Sequence, residues 1–420
     1  MRKEKLMRIF SLFFSLIIVI NGYTLGFGKT LGLSFPQLLF PFLFLYAILG
    51  CRIRDFIIPK LFLYYILYIS VVNLSTAPEF SLSNLISIAL FGFSLAFMLS
   101  YSLLDIPTFL KAYKIIVIVC IAFFAIQELN FRAFGVRPSG LIPGIPLMAN
   151  SEEGDASYIE HLKGVYRSSS FFLEPSYFAD FLGPFLGVSL FMMKGAQRYI
   201  YSAIITITLL VLGSGNGLLI LGIVWGVRII KTVKSASFIA KIASILLFAS
   251  LIFVGVNYYT NSEMGASVIE RGSNLDSDRS ASMRIYRGWA VYDDMPTIYK
   301  IVGSNSHRID SFIRNSSASF LFDQNDKYFN TWQYIFITGG IIGFILFLLF
   351  LLSLYRNNTD LGKTLILLTI VTSLTSSTYL SVGMLFYLVF AFKLKWQERE
   401  ARYKLIFNAG AAKFYTITNE

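Results

Sequence analysis

Charged residues are scarce in this sequence, making up 14% of its 420 residues. A soluble domain carries about 25% charged residues, whereas here hydrophobic residues supply 55% of the chain and aromatic residues 16%. So much apolar surface cannot remain in contact with water. The shortage of charge therefore excludes a soluble enzyme and a disordered chain, and it indicates an integral membrane protein with several spans.

Histidine and cysteine are also scarce, with two of each in the chain. His161 and His307 stand alone, without another ligand at the spacing that a zinc site uses. Asp293 and Asp294 are adjacent on a predicted helix, so their carboxylates point about 100° apart. The two cysteines cannot support a disulfide framework. We therefore expect no metal ion and no other cofactor.

Apolar runs long enough to cross a bilayer, about 20 residues each, recur along the chain and predict an all-α protein with about twelve transmembrane helices. Only a polar patch, Ser376-Ser377-Thr378, separates the last two of these predicted helices. The candidate spans are 7–26, 30–50, 56–75, 82–102, 112–129, 174–193, 198–213, 216–230, 242–258, 331–354, 363–379 and 380–393.

Two segments between the spans are too long to be turns, and loops of such length usually carry function or are disordered. Their aromatic residues and Pro-Gly turns argue against disorder. The predicted organisation is spans 1–5 in 1–129, a first long loop in 130–173, spans 6–9 in 174–258, a second long loop in 259–330, spans 10–12 in 331–395, and a tail in 396–420.

Basic residues in the short loops set the orientation. If the N-terminus, with Arg2, Lys3, Lys5 and Arg8, is cytoplasmic, most other basic residues in short loops and the tail fall on the same side. Both termini are thus predicted to be cytoplasmic and both long loops extracytoplasmic. The net charge of +12 reflects this topology, and nucleic acid is not an expected partner.

Glycine-rich phosphate-binding motifs are missing too, since there is no P-loop and no glycine-rich turn between a strand and a helix. The predicted cytoplasmic loops are also too short to form a nucleotide-binding domain. A nucleotide-sugar or ATP site is therefore excluded, and any chemistry is expected at the outer face.

Residues 166–178, with the sequence YRSSSFFLEPSYF, lead from the first long loop into span 6. Pro175 suits the first position of a helix, so Glu174 is expected to be the N-cap. A helix N-terminus preceded by Arg167 and three hydroxyls is a good site for an anion. The alternative is that Glu174 and the serines only cap the helix while Arg167 reaches to lipid headgroups.

A second polar motif lies in residues 279–296 of the second long loop. Arg284 and Arg287 lie three residues apart, so they are neighbours on one helix face. Two guanidinium groups side by side suit a diphosphate; the alternative is an interfacial helix with a solvated or aspartate-paired basic face. The helix is predicted to end at Pro296, because apolar residues recur at helical spacing at Ile285, Trp289, Tyr292 and Met295.

These motifs, in this order, resemble the O-antigen and exopolysaccharide repeat-unit polymerases of the Wzy type, whose superfamily includes the O-antigen ligases. The resemblance continues in residues 214–217 (SGNG) between two spans, in Gly303 after the arginine helix, and in residues 332–343, which end in GIIG. It implies a GT-C-like membrane fold with two long periplasmic loops in the bacterial inner membrane.

The resemblance also implies a substrate: an oligosaccharide on undecaprenyl diphosphate, serving as donor and as acceptor at the periplasmic face. It admits a chain-length regulator and a flippase as protein partners, besides the lipid bilayer. The reaction needs cations to hold the diphosphate and a carboxylate to accept a proton, with Glu174 first and Asp180 second. The expected catalytic residues are Arg167, Glu174, Arg284 and Arg287, and the expected substrate-binding residues are Ser169, Ser176, Asp180, Asn216 and Asn330.

Three other functions compete with this interpretation. Ligases of the superfamily usually have a His-Asn pair where this chain has Phe329-Asn330, which favours a polymerase. A lipid-linked oligosaccharide flippase should carry charged residues in a central cavity, whereas the arginines here concentrate in outer loops. A glycosyltransferase using polyprenyl-phosphate sugars usually has acidic residues in its first outer loop, which here is short and lacks them.

Overall fold

The computed structural model describes residues 2–24, 34–50, 58–76, 82–100, 103–142, 145, 166–235, 287–317, 319–322 and 329–397. Within these ranges the chain is helical and contains no β-strand. The helices are α1 (Arg2–Leu16), α2 (Phe35–Gly50), α3 (Lys60–Ser75), α4 (Leu82–Ser100), α5 (Ile106–Phe134), α6 (Pro175–Phe191), α7 (Gly195–Val211), α8 (Gly215–Ser235), α9 (Arg287–Asp294), α10 (Thr297–Val302), α11 (Ile309–Asn315), α12 (Thr331–Tyr355), α13 (Asp360–Thr372) and α14 (382–397).

Each predicted span coincides with a helix except 242–258, which lies outside the described residues. Helices α5, α8 and α12 are long and apolar enough to cross a membrane, and α2, α3 and α4 contain shorter apolar stretches. The chain is thus an all-helical protein with membrane-capable helices. The full number of spans and the cytoplasmic position of both termini stay predictions.

Helix α5 is longer at both ends than the predicted span, 112–129, because its ends are set by caps and not by hydrophobicity. The side chain of Asp105 accepts a hydrogen bond from the amide of Thr108 at 3.2 Å, and Pro107 occupies the first turn. Gly135, with φ 72°, ends the helix in the left-handed conformation, as is common at C-termini. The helix thus continues to Phe134, into the segment that the sequence assigns to the first long loop.

One predicted helix boundary is confirmed, and the structure defines a second that the sequence leaves open. Helix α6 begins at Pro175 with Glu174 as N-cap residue. The last two apolar segments are separate helices, because α13 ends at Thr372 and α14 starts at residue 382, with the polar serines and Leu380 (φ 50°) in the interruption.

Helix α6 forms the centre of the described bundle. It is apolar on nearly every side, as expected of a buried helix, and it packs against α7, α8 and α13. Phe178, Phe181, Leu182, Phe185 and Leu186 are fully buried along it. This packing fixes the amino-terminal end of α6, and the motif before it, against the neighbouring helices.

The second long loop folds back onto α12. Helix α9 ends before Pro296, as predicted, but Pro296 then serves as the N-cap residue of a further helix, α10. Val291 and Met295 are buried together with Ile309, Ile313 and Ile337. The described part of the loop is therefore a packed helical layer on the first half of α12.

Helix α12 is broken at Gly340 (φ 61°, ψ −169°), where α10 ends against it. A β-carbon on Gly303 would lie 2.4 Å from the carbonyl oxygen of Thr338, and one on Gly340 would lie 2.4 Å from that of Ile301. The amide of Ser304 donates to the carbonyl of Ile337 at 3.1 Å. Glycine is required at both positions because two backbones meet there.

Candidate active site at one end of the bundle

The amino-terminal ends of α6, α8 and α12 meet around the interruption between α13 and α14. Thr331, the first residue of α12, donates its amide to the carbonyl of Ser376 at 3.1 Å, and its hydroxyl donates to the same oxygen at 2.9 Å. The hydroxyl of Thr375 lies 3.3 Å from the Oδ1 atom of Asn216, near the start of α8. Each of the three helix N-termini contributes a partial positive charge here, beside the carboxyl-terminal ends of α7 and α13.

Asn216 links α8 to α6 through Asp180. Its Nδ2 atom donates to the Oδ1 atom of Asp180 at 2.6 Å, and the hydroxyl of Tyr387 donates to the backbone carbonyl of Asp180 at 2.6 Å. The sequence placed Asn216 and Asp180 in the same predicted site, and the structure brings their side chains into contact. Thr375 and Tyr387, which complete this cluster, carried no signal in the sequence.

Glu174 stands at the start of α6. It lies close enough to Asp180 for the two carboxylates to repel each other. Its carboxylate accepts a hydrogen bond from the hydroxyl of Ser176 at 2.8 Å, and it makes no side-chain cap to the helix amides. The side chain is half-buried. Glu174 is therefore an oriented carboxylate at the entrance to the cluster, and the interpretation of its side chain as a helix cap is wrong.

Arg167 is exposed and reaches the turn between α7 and α8. Its Nη1 atom lies 3.5 Å from the carbonyl oxygen of Gly213, two residues before α8 begins. Arg167 therefore contacts the turn that leads into α8, three residues before Asn216. A guanidinium at this position adds a mobile positive charge to that of the helix ends.

The three hydroxyls after Arg167 are engaged within the protein. Ser169 is fully buried and donates to the carbonyl of Phe172 at 2.5 Å. Ser170 donates to the carbonyl of Cys120 at 2.8 Å, and Ser168 accepts from the Nε atom of Arg137 at 2.9 Å. These serines stabilise the loop, and substrate contact by Ser169 stays a prediction that this geometry does not favour.

Gln127, in the last third of α5, holds the same loop and was missed in the sequence. It is fully buried; its Oε1 atom accepts from the amide of Ser170 at 2.8 Å, and its Nε2 atom lies 2.7 Å from the hydroxyl of Tyr166 and 3.0 Å from the carbonyl of Pro138. Gly140 packs so closely here that a β-carbon would lie 2.0 Å from the carbonyl of Ser170. The sequence could have indicated Gln127, because an isolated glutamine within an apolar span must find polar partners inside the protein.

Arg137 forms the outer wall of this loop. Its guanidinium lies 3.3 Å above the ring centroid of Phe131 and 3.9 Å from the carboxylate of Glu128. Burial lowers the pKa of Arg137, while Glu128 acts in the opposite direction. Burial also raises the pKa of Tyr166 to about 12, with the charge of Arg137 opposing the shift, so the Tyr166 hydroxyl stays protonated at neutral pH.

The second motif is only partly described, since Arg284 lies outside the described residues. Arg287 is fully buried at the start of α9, with its guanidinium carbon 4.6 Å from the ring centroid of Phe322. The next residue, Gly288, packs against Gln333 and Phe329. Arg287 thus anchors α9 beside the amino-terminal end of α12, and its direct contact with substrate stays a prediction.

Asn330 is the N-cap residue of α12 and is almost fully buried. Its Oδ1 atom accepts from the amide of Gln333 at 2.9 Å, and its own amide donates to the Oε1 atom of Gln333 at 3.1 Å. This reciprocal capping box fixes the first turn of α12. Its role in substrate binding likewise stays a prediction.

No group of three histidine, cysteine, aspartate or glutamate side chains forms a metal-binding cluster among the described residues. Asp294 instead accepts hydrogen bonds from the amide of Ser317 at 2.7 Å and from the hydroxyls of Ser316 and Ser317. These contacts lower the pKa of Asp294, the amide of Ser317 contributing most. They tie the end of α9 to the turn after α11.

No protein-family model matches the chain, and no curated protein matches it significantly. The resemblance to Wzy-type polymerases is therefore carried by the residues and their order alone.

Proposed function

We propose that this protein is a polysaccharide polymerase of the bacterial inner membrane. It joins oligosaccharide repeat units carried on undecaprenyl diphosphate by transferring the growing chain to a hydroxyl of the incoming unit at the periplasmic face. The observation that carries the proposal is the meeting of three helix N-termini, Arg167, Glu174 and the Asp180–Asn216 pair at one end of the bundle.

The reaction breaks one bond and forms another without a change of oxidation state. A hydroxyl oxygen of the acceptor attacks the anomeric carbon of the donor sugar, and the bond from that carbon to the diphosphate oxygen breaks. Undecaprenyl diphosphate leaves with the electron pair, so negative charge grows on it in the transition state. Preorganised positive charge facing the leaving group lowers the barrier.

Arg167 and the helix N-termini supply that charge in the proposal. Arg167 is exposed at the turn before α8, where an incoming lipid diphosphate can reach it. Arg284, three residues before the buried Arg287, is the proposed second cation. Arg287 itself is buried at the start of α9, with its guanidinium over the ring of Phe322.

A carboxylate accepts the proton that the acceptor hydroxyl loses. Glu174 is the first choice because it is half-buried at the entrance and is oriented by Ser176. Asp180 is the second choice, because its carboxylate is already held by Asn216. The acceptor sugar would bind between these side chains and the Ser373–Thr378 turn.

Two observations favour a polymerase over the alternatives. Phe329, in the place of the ligase histidine, is buried against Phe322, with ring centroids 5.7 Å apart, so this position serves packing. A flippase needs a charged central cavity, whereas the centre of the described bundle is filled by the apolar helix α6.

Substitution of the arginines tests the proposal. We expect Arg167→Ala and Arg284→Ala to abolish long polymer, because the loss of one contact made chiefly in the transition state costs roughly a hundredfold in rate. Arg167→Lys should recover only part of the activity, since lysine keeps the charge but loses the forked hydrogen bonds. Polymer length is read on gels of surface polysaccharide, with protein abundance in the membrane measured in parallel.

Arg132→Ala is the matched control, because Arg132 is an exposed arginine in the last turn of α5, outside both motifs. It should give polymer of normal length. Normal polymer in cells with Arg167→Ala would remove Arg167 from the site. Full recovery with lysine, together with an equal defect in Arg132→Ala, would instead indicate a general interaction with lipid headgroups.

A further inference from the structure

A cavity of about 280 Å³ lies at the end of the bundle opposite the candidate active site. Its walls are the first turn of α3, the last turn of α12 and the end of α14, all within the described residues. Helix α12 runs from Thr331, at the active-site end, past its break at Gly340 to Ser353 in the cavity wall. The cavity is therefore remote from the diphosphate of the proposed reaction.

Among the residues that the structure describes, two lysines and no acidic residue line this cavity. Lys60, the first residue of α3, is exposed, and Lys395 of α14 donates a hydrogen bond to the backbone carbonyl of Ser353. That bond holds the Lys395 ammonium group at the cavity wall. The N-cap residue of α3, Pro59, offers no side chain to the first-turn amides, so the helix end adds to the positive potential.

The remaining wall is apolar and aromatic. Phe392 and Trp396 stack with ring centroids 6.5 Å apart and an interplanar angle of 23°, and Leu61 and Leu354 complete the wall. Tryptophan is enriched where helices leave the hydrocarbon core and meet the headgroups. A positive rim over an aromatic wall matches the interfacial part of a lipid, where a phosphate adjoins a glycerol backbone.

An exposed apolar stripe runs from the cavity along α3. After Lys60 it comprises side chains spaced four and three residues apart, which places them on one helix face. They are more than half exposed in each case: Tyr64, Leu67, Val71 and Leu74. An acyl chain whose headgroup sits at Lys60 would lie along this stripe.

We propose that the cavity binds one anionic phospholipid, with its phosphate between Lys60 and Lys395 and one acyl chain along α3. The cavity is partly open, so a phosphoglycerol headgroup can occupy it while the acyl chains lie outside. The bound lipid joins α3, α12 and α14, and so stabilises the packing of helices that also reach the active-site end.

Lipid binding by the purified full-length protein tests this proposal. Native mass spectrometry counts phosphatidylglycerol and phosphatidylcholine molecules retained in detergent as each lipid is titrated. We expect one phosphatidylglycerol to bind in preference to phosphatidylcholine. Lys60→Gln and Lys395→Gln should each weaken its binding about fivefold, and the double variant about thirtyfold, because each basic residue contributes a similar share.

Two further variants separate charge from folding and from general electrostatics. The double variant Lys60→Arg with Lys395→Arg should keep the preference for phosphatidylglycerol. Lys194→Gln removes an exposed charge at the same end of the bundle but outside the cavity, and it should change the affinity less than twofold.

Several results would overturn the proposal. They are equal binding of the two lipids, unchanged binding in the double glutamine variant, and loss of binding in the arginine variant. Displacement of phosphatidylglycerol by millimolar glycerol 3-phosphate would also overturn it, since the site would then serve a soluble phosphate.

Discussion

A polar side chain buried among apolar helices must find its partners within the protein, and at the residue scale these partners define the site. Asp180 and Asn216 bond to each other, and Gln127 holds the backbone of Ser170. Each pair joins residues far apart in the chain. The polar residues inside apolar segments are therefore the most informative residues of this sequence.

The sequence identified some of these residues and missed others for a physical reason. Asp180 was found because a carboxylate inside a span is costly and so draws attention. Gln127 and Arg137 were missed because their roles depend on the loop that folds over them. Ser169 was assigned to substrate from its neighbourhood in the sequence, which does not reveal that its hydroxyl turns inward to Phe172.

Replacing Gln127 tests the structural role of these contacts. Gln127→Leu should remove the partner of both the amide and the carbonyl of Ser170, whereas the carbonyl of Pro138 still accepts from the hydroxyl of Tyr166. Each buried group left unpaired costs about 1–3 kcal/mol, so the midpoint of thermal unfolding in detergent should fall clearly.

Asn130→Leu is the control for this substitution. Asn130 lies one turn further along α5, is half-buried, and makes an exposed local hydrogen bond to the carbonyl of Ile126. Its replacement should change the unfolding free energy by less than about 0.5 kcal/mol. Equal unfolding midpoints for the two variants would mean that Gln127 does not hold the loop.

At the scale of helices, the apolar runs predicted where helices occur but not where they end. The ends depend on short-range features such as the Asp105 cap of α5, which lies outside the apolar window. Likewise, the break of α12 at Gly340 depends on the arrival of α10 at that point. The resemblance drew attention to Gly303 and Gly340 separately, and only the fold shows that they touch.

The contact between α10 and α12 gives a sharp prediction. Gly303→Ala places a β-carbon 2.4 Å from the carbonyl oxygen of Thr338, so the backbones must separate and the layer that carries Arg287 must shift. We expect both a lower unfolding midpoint and loss of polymer. The measurement is thermal unfolding combined with the gel assay of polymer length.

Gly135→Ala is the control that separates the effect of the close contact between α10 and α12 from the effect of backbone strain at a positive φ. Gly135 also has a positive φ, 72°, but a β-carbon there meets no atom within 4 Å. Its replacement should cost only about 1–2 kcal/mol, the price of a left-handed alanine, and should leave activity intact. A similar, mild effect of both substitutions would argue against the contact as a determinant of the site.

At the scale of the whole molecule, the site is assembled from residues around 167, 180, 216, 331 and 375, which lie in distant parts of the chain. Helices that cross the membrane in the same direction are predicted to begin at the same membrane surface. The amino-terminal ends of α6, α8 and α12 do meet. The contacts themselves depend on the turn between α13 and α14. Their geometry could not be read from hydrophobic periodicity.

The side of the membrane on which the candidate active site lies can be tested. Tags inserted after Leu141 and after Ser306 should be accessible to an impermeant reagent in spheroplasts, because both positions belong to the predicted periplasmic loops. Tags at Gly195, at Ser235 and at the C-terminus should be protected until the membrane is opened. Protection of either loop tag would invert the topology and remove the proposed substrate from reach of the site.

We propose that this chain by itself polymerises lipid-linked repeat units without a metal ion. The most direct measurement uses the purified protein in liposomes with undecaprenyl-diphosphate-linked oligosaccharide and an excess of chelator. We expect a ladder of products with release of undecaprenyl diphosphate, and unreacted single units with Arg167→Ala. Absence of a ladder from the wild-type protein, or a ladder that requires added magnesium or manganese, would contradict the account.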